Sequence, residues 1–284
     1  MEQFFTIANT ILHARGRHYL WEGVGSLSLK SFYGGQALYN VGDGYYAVDD
    51  RAYLLLNHAQ PYTITIEAQQ PVESFCIFFA QGFAEEVARS LTVPTGRLLD
   101  EPTVSLPPLH FFERTYPHDA EVSPLLFRLR HAFAQGAPEK GWLEEYLHLL
   151  MQHLLRVHQQ VWSEVEDLPA ARLATREELY RRLYQARDYA TALLHTRLTL
   201  DEMARVACLS PNHFLRMFKA TFHQTPHQYL TTKRLEQARR LLLHTNLSVT
   251  EICFAVGFES LGSFSSLFHR QVGLSPEGYR RQKR

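Results

Sequence analysis

Read for the spacing of its apolar positions, the chain changes rhythm twice. From about Leu27 to Ala80 short aromatic and β-branched runs alternate with turn residues: Ala37–Val41, Tyr45–Val48, Ala52–Asn57, Tyr62–Glu67 and Ser74–Phe79. Ile64/Ile66 and Phe75/Ile77/Phe79 keep the period of two expected of strands with one buried face. Gly42-Asp43-Gly44 and Asp49-Asp50 separate the first three runs. Strands at this even spacing predict a small barrel or sandwich. A short helix over Phe83–Ser90 and a Pro-rich, aperiodic loop from Thr92 to Pro117 follow. The spacing then turns helical, over roughly Val122–Gln135 and Glu139–Val165. The second of these places Trp142, Tyr146, Leu149, Leu150, His153, Leu154 and Val161 on one stripe, which either packs on the barrel or pairs with the same helix of a second subunit. Asp167–Leu173 reads as a linker, and from Thr175 onward the pattern is helical throughout.

The helical part contains one pattern written twice. Phe214 and Phe218 are answered 50 positions later by Phe264 and Phe268, Thr225-Pro226 by Ser275-Pro276, and Tyr229 by Tyr279. Thr175 with Glu178, Thr199 with Glu202, and Ser248 with Glu251 have the capping-box spacing, in which hydroxyl and carboxylate satisfy helix-start amides reciprocally. Ser210-Pro211 and Thr225-Pro226 are N-cap plus first-turn proline signals. The repeat predicts two helix-turn-helix units, with a continuous helix from Pro226 to about His244 between them. Nineteen residues at about 1.5 Å each span roughly 28 Å. Successive major-groove faces on one side of B-DNA lie about 34 Å apart, so one chain can address two adjacent grooves.

Charge sharpens this division. The formal net charge is zero over 284 residues. Yet residues 172–284 carry 18 Lys and Arg against 9 Asp and Glu, and the preceding part carries the opposite excess. Such a split fits a nucleic-acid-binding end joined to something else. The three cysteines, Cys76, Cys208 and Cys253, are far apart and lack metal-site spacing. Cys208 and Cys253 fall in apolar helical patterns and are expected as buried thiols, consistent with a reducing, cytoplasmic compartment. The sequence offers neither a leader-like start nor an apolar stretch of spanning length, so no membrane association is expected.

In a helix-turn-helix the second helix enters the major groove and its N-terminal residues meet base edges. The first such helix runs from Pro211 to about Phe222, with Phe214, Met217 and Phe218 at core spacing. Ser210, Pro211, Asn212, His213, Leu215, Arg216 and Lys219 are then left for DNA. Arg216 suits guanine, Asn212 adenine and Leu215 a thymine methyl, while Lys219 and the helix-start amides suit phosphate. Lys233, Arg234, Arg239 and Arg240 on the joining helix either reach phosphate or are solvated or paired.

Over Glu177–Arg281 these residues resemble the AraC/XylS family of bacterial transcription regulators. The resemblance is carried by Ala204, Leu209-Ser210, Phe214, Arg216, Phe218 and Lys219, and by Arg234-Leu235, Ala238 and Leu241-Leu242. It continues through Ile252, Gly257-Phe258, Ser260, Phe264, Phe268, Gly273, Ser275-Pro276 and Tyr279-Arg280. It implies a sequence-specific regulator of promoter DNA, an activator by family prior, with RNA polymerase as partner. Where members often carry long polar side chains in the second recognition helix, this chain has Leu261, Gly262, Ser263 and Ser266. We therefore expect most base readout from the first unit. The second is expected to supply phosphate contacts through Ser260, Ser263, His269 and Arg270, plus a methyl contact from Leu261.

The N-terminal region is similar to the cupin-type sensor domains of such regulators, chiefly over Asp49-Asp50 and Tyr53 to Tyr62. The expected fold class is α+β: residues 1–166 a cupin-like small barrel with helices, sensing an effector and dimerising. Residues 167–174 are a linker, and 175–284 an all-α DNA-binding domain. Tyr39, Tyr46, His58, Tyr62, Ser74 and Cys76 are the candidate effector contacts, with ordinary core or structural roles open for each. Only Lys30 and Arg51 are cationic among residues 27–80, which favours a neutral effector, and the resemblance implies a sugar-like or other small metabolite. His58 stands alone there, so no metal is expected, and no catalytic constellation or cofactor motif is found, so the chain is not expected to be an enzyme. The alternative is a ligand-independent architectural DNA binder.

Overall fold

Strand β4 (Ala37–Val41) turns into β5 (Gly44–Val48) through Gly42, whose φ of 54° suits a left-handed hairpin turn. A side chain at Gly44 would meet the Tyr46 ring and hydroxyl at 2.3–2.6 Å, so any larger residue there would have to displace that buried ring. The computed structural model describes residues 2–4, 6, 8–92, 106–170 and 172–283. It divides into two units, Met1–Arg181 and Arg182–Arg284, each taken by itself below.

The first unit is built on β1 (Glu2–Phe4), β2 (Thr10–Gly25), β3 (Ser28–Tyr33), β4, β5, β6 (Ala52–Leu56), β7 (Gln60–Phe78) and β8 (Thr115–Pro117). They form one sheet in the order β1-β2-β7-β3-β6-β8, with β4 between β7 and β5. It is antiparallel except at β1–β2, and it makes a nearly closed barrel. The runs expected as separate strands at Tyr62–Glu67 and Ser74–Phe79 are two halves of β7. Its first half pairs with β4 and its second with β3, while β2 runs along its other edge. Strand β2 is absent from the sequence reading. Most of it is exposed, and its charged residues break the alternation, so its strand character comes from pairing with β7.

Inward residues of these strands make one core, including Phe32, Tyr39, Tyr46, Leu54, Ile64 and Val72. The outer face is covered by helices. Phe79 stacks on Phe83 of α1 (Phe83–Thr92), and Phe75 meets Phe133 of α2 (Ser123–Gln135). Both faces of β3 are thereby buried, which is why none of its six residues is exposed. The expected loop from Thr92 to Pro117 is corrected at its end, where β8 pairs with β6; residues 93–105 lie outside the described residues. Asn57 holds the approach to β8: its amide donates to the Phe111 carbonyl at 2.9 Å and accepts from the Phe111 N–H at 2.8 Å.

Helix α3 (Lys140–Glu166) packs on α1 and α2. Of its expected stripe, Tyr146, Leu150, Leu154 and Val161 are buried, Trp142 and His153 half-buried and Leu149 exposed. Asp167–Ala170 is a turn, and α4 (Leu173–Ala192) begins before Thr175. Thr175 donates its own N–H to the Arg172 carbonyl, so the cap expected there does not form. The division between the units falls inside α4.

The second unit contains α5 (Leu200–Val206), α6 (Pro211–Phe222), α7 (Pro226–His244), α8 (Val249–Ala255), α9 (Leu261–Val272) and α10 (Pro276–Lys283). Capping boxes close at Thr199/Glu202 and Ser248/Glu251, as expected, and also at Thr225/Gln228. Leu235, Ala238 and Leu242 of α7 pack with Ile252, Val256, Phe264 and Phe268. Tyr229 at the other end of α7 packs on Phe218 and Phe222. Cys253 is buried as expected, but Cys208 is exposed. It lies past the end of α5 at φ 50°, in the turn rather than on the helix's apolar face. Among the described residues, no helix is long and apolar enough to cross a membrane.

Candidate nucleic-acid interface and barrel cavity

Pro211 at the first turn and Phe214, Met217 and Phe218 on the inner face orient α6. Ser210, Pro211, Asn212, Arg216 and Lys219 are consequently exposed, with His213 and Leu215 half-buried at the flanks. Among the described residues, Asn212, Arg216 and Lys219 are committed to no ion pair or side-chain hydrogen bond. The Ser210 hydroxyl makes no cap bond, although those of Thr199, Thr225, Ser248 and Ser260 all do. Hence α6 begins with unspent amides and an unspent hydroxyl, a combination that suits an anion at a helix start.

The second copy differs in chemistry and in length. Ser260 caps α9 by accepting from the Ser263 N–H at 3.4 Å. Leu261, Gly262, Ser263, Ser266, His269 and Arg270 are exposed around it. The turns close alike: Leu209 N–H donates to the Ala204 carbonyl at 2.9 Å, and Phe258 N–H to the Cys253 carbonyl at 3.0 Å. Glu259 is then inserted before the second N-cap, so the offset is 49 up to Phe258 and 50 from Ser260 onward. The match of aromatic residues alone does not register this insertion.

The joining helix gives its basic residues to different tasks. Arg234 donates to the carbonyls of Leu194 at 2.9 Å and Thr196 at 2.7 Å, tying α7 to the chain after α4. Lys233 pairs with Glu236 at 2.8 Å, and Arg239 and Arg240 are half-buried. Arg234 is thus withdrawn from the phosphate role considered for it, because the backbone carbonyls beside it are better placed acceptors.

In the first unit a cavity of about 320 Å³ opens inside the barrel. The pairing registers bring its walls together. Leu12, Cys76 and Lys30 form one row across β2, β7 and β3, and Ala14, Ser74 and Phe32 form the next. Trp21, Ile64 and Tyr39 form a third row across β2, β7 and β4. Of the candidate effector contacts, Tyr39, Tyr62, Ser74 and Cys76 line this space. Tyr46 does not; it is buried, with its hydroxyl donating to the Glu113 carbonyl at 3.3 Å. His58 lines a different cleft, beside Gly82, Glu85 and Leu109. Trp21, Tyr19 and His18 escape the sequence reading together with β2, and Lys30 enters it only as a cation. Burial pushes the Lys30 ammonium down to about 8 and the Cys76, Tyr39 and Tyr62 acids up.

A family model described as a helix-turn-helix domain matches residues 203–282. The uncharacterized HTH-type transcriptional regulator YobQ of Bacillus subtilis is 26% identical over 162 residues, 57% of this chain and 58% of that protein. The HTH-type transcriptional regulator AlkR of Acinetobacter baylyi is 27% identical over 177 residues, 56% of each chain. The chain therefore spans little more than half the length of these two relatives. Among solved structures, the DNA-binding domain of AdpA in complex with a target DNA is 34% identical, covering 36% of this chain and 91% of that one at a TM-score of 0.35. A transcriptional regulator of Chromobacterium violaceum with an AraC-type DNA-binding domain is 30% identical, with the same coverage and TM-score. The relatives are named as transcription regulators, a class without enzymatic activity.

Proposed function

The C-terminal part of the chain is a helix-turn-helix domain of the AraC type, and on that premise we propose that the protein is a sequence-specific transcription regulator controlled by a small molecule held in its barrel. One observation carries the reading. Helix α6 presents Asn212, Arg216 and Lys219 to solvent without internal partners, above a helix start whose amides are uncapped by Ser210. That is the arrangement in which a helix reads base edges while its first turn holds phosphate. The 19-residue α7 supports a second, neighbouring contact through α9. The aromatic cavity supports effector binding, and the effector changes promoter occupancy only if it favours one arrangement of the protein over another. The resemblance supports the remainder of the reading: a cytoplasmic homodimer, an activator, acting with RNA polymerase at promoters.

Genome-wide mapping of the sites occupied in the protein's own bacterium tests this. Sharp peaks sharing one motif beside a transport or catabolic operon are the expected result. Diffuse occupancy without a shared motif would leave an architectural binder in its place.

A further inference from the structure

The barrel cavity has a charge pattern that bears on what it holds. Lys30 is only 2% exposed, and its Nζ lies 3.7 Å from the centroid of the Phe78 ring. Its hydrogen-bond partner is the Tyr62 hydroxyl, at 3.3 Å, which accepts from the ammonium and keeps its own proton for another acceptor. Among the described residues, no aspartate or glutamate lines the cavity; of the other basic residues at its rim, both from β2, Arg15 gives its side chain to Glu73, leaving His18. Glu73, next to Ser74 on β7, points to the opposite face of the sheet and is held there by His13, Arg15 and Arg130. A buried ammonium without a carboxylate is costly and adds nothing to the fold by itself. The remaining wall is mostly apolar: Trp21, Phe32, Ile64, Ile66 and Phe78.

Resting on the reading of the barrel as the effector domain, we propose that the cavity binds a monocarboxylate with an apolar body. The carboxylate pairs with Lys30 and accepts from the Tyr62 hydroxyl, and the body lies against Trp21, Tyr39 and Phe78. This departs from the neutral effector favoured by counting cations along residues 27–80, and from the sugar-like one that the resemblance implies. Arg51 is bound by Asp49 at 2.6 Å and lies away from the cavity, whereas Lys30 is enclosed within it. A polyol needs many hydrogen-bonding groups, and this wall supplies few. At roughly 30 Å³ per atom the space suits a ligand on the order of ten non-hydrogen atoms.

Calorimetric titration of the full chain with octanoate, octanamide and glucose tests the proposal, together with binding to an operator fragment found by occupancy mapping. Octanoate is expected to bind at least about tenfold tighter than octanamide, its neutral match in size, since charge-assisted pairing favours the anion. Lys30→Met should erase that preference while keeping octanamide binding. It should also melt above the wild type at pH 7, where the charged ammonium is still buried, so lost binding is not misfolding. Tyr62→Phe should weaken octanoate more than octanamide. If octanamide or glucose binds as well as octanoate, the carboxylate is refuted while the effector domain stands. If octanoate binds through Lys30 but operator affinity does not change, the ligand class stands and effector control falls. Binding of none of the three refutes the monocarboxylate, while the reading of the barrel as an effector domain does not depend on that outcome.

Discussion

The two helix-turn-helix copies share a frame and differ in what they place on it. Both close their turns with the same hydrogen bond, and both put paired phenylalanines, Phe214/Phe218 and Phe264/Phe268, at zero exposure. On the outer side the first copy carries Asn212, Arg216 and Lys219, and the second Leu261, Gly262, Ser263 and Ser266. The turns also differ in strictness. Cys208 takes the left-handed conformation in the first and remains exposed. Gly257 takes it in the second at φ 86°, where an added Cβ would lie 2.4 Å from the Leu194 carbonyl and 3.1 Å from the Arg234 guanidinium. The second turn is thus packed against the Arg234 anchor, while the first copy faces outward with long polar groups. On the proposed reading, the first copy meets the bases, while the second is packed against the anchor that holds the domain together.

The largest effect that would break this comparison is at the turns. Gly257→Ala should destabilise the protein by about 2 kcal/mol or more, from left-handed strain and the clash with the carbonyl. Cys208→Gly should stay within about 1 kcal/mol, since it relieves similar strain while loosening the unfolded chain. Thermal or urea unfolding of both variants measures this, and equal losses would remove the asymmetry. Next comes readout: Arg216→Ala should cost about 1–3 kcal/mol of discrimination at one base position. Leu261→Ala should change specificity less, and band-shift competition with mismatched operators ranks the two. The reverse ranking would make the second copy the reader. The smallest effect tests the shared frame. Thr199→Ala and Ser248→Ala should each cost about 1 kcal/mol, because each removes one half of a capping box. Clearly unequal losses would show that the copies differ in their scaffolds as well as in their faces.

Legibility followed the range of the interaction. Capping boxes at Thr199 and Ser248, the proline starts at Pro211 and Pro226, and the helix to His244 involve residues three or four apart, so the chain displays them directly. The two recognition helices and the exposed face of α6 follow from that spacing. Thr175 and Cys208 show its limit: each has a plausible local pattern, and each is overruled by where the neighbouring helix starts or stops.

The barrel was legible only in outline. Strands β4, β5 and β6 were readable because their alternation is local, whereas β2 exists through pairing with residues about 35 to 70 positions away, a contact no window of sequence contains. The same pairing decided the cavity. By itself the sequence determined two helix-turn-helix units, their spacing and a strand-rich partner domain. Only the tertiary structure decided that Tyr46 and His58 leave the cavity, that Arg234 ties the domain together, and that Lys30 is enclosed among aromatic rings. Burial is a property of the assembled strands, and it turns an ordinary surface-type residue into the strongest charge in an apolar space.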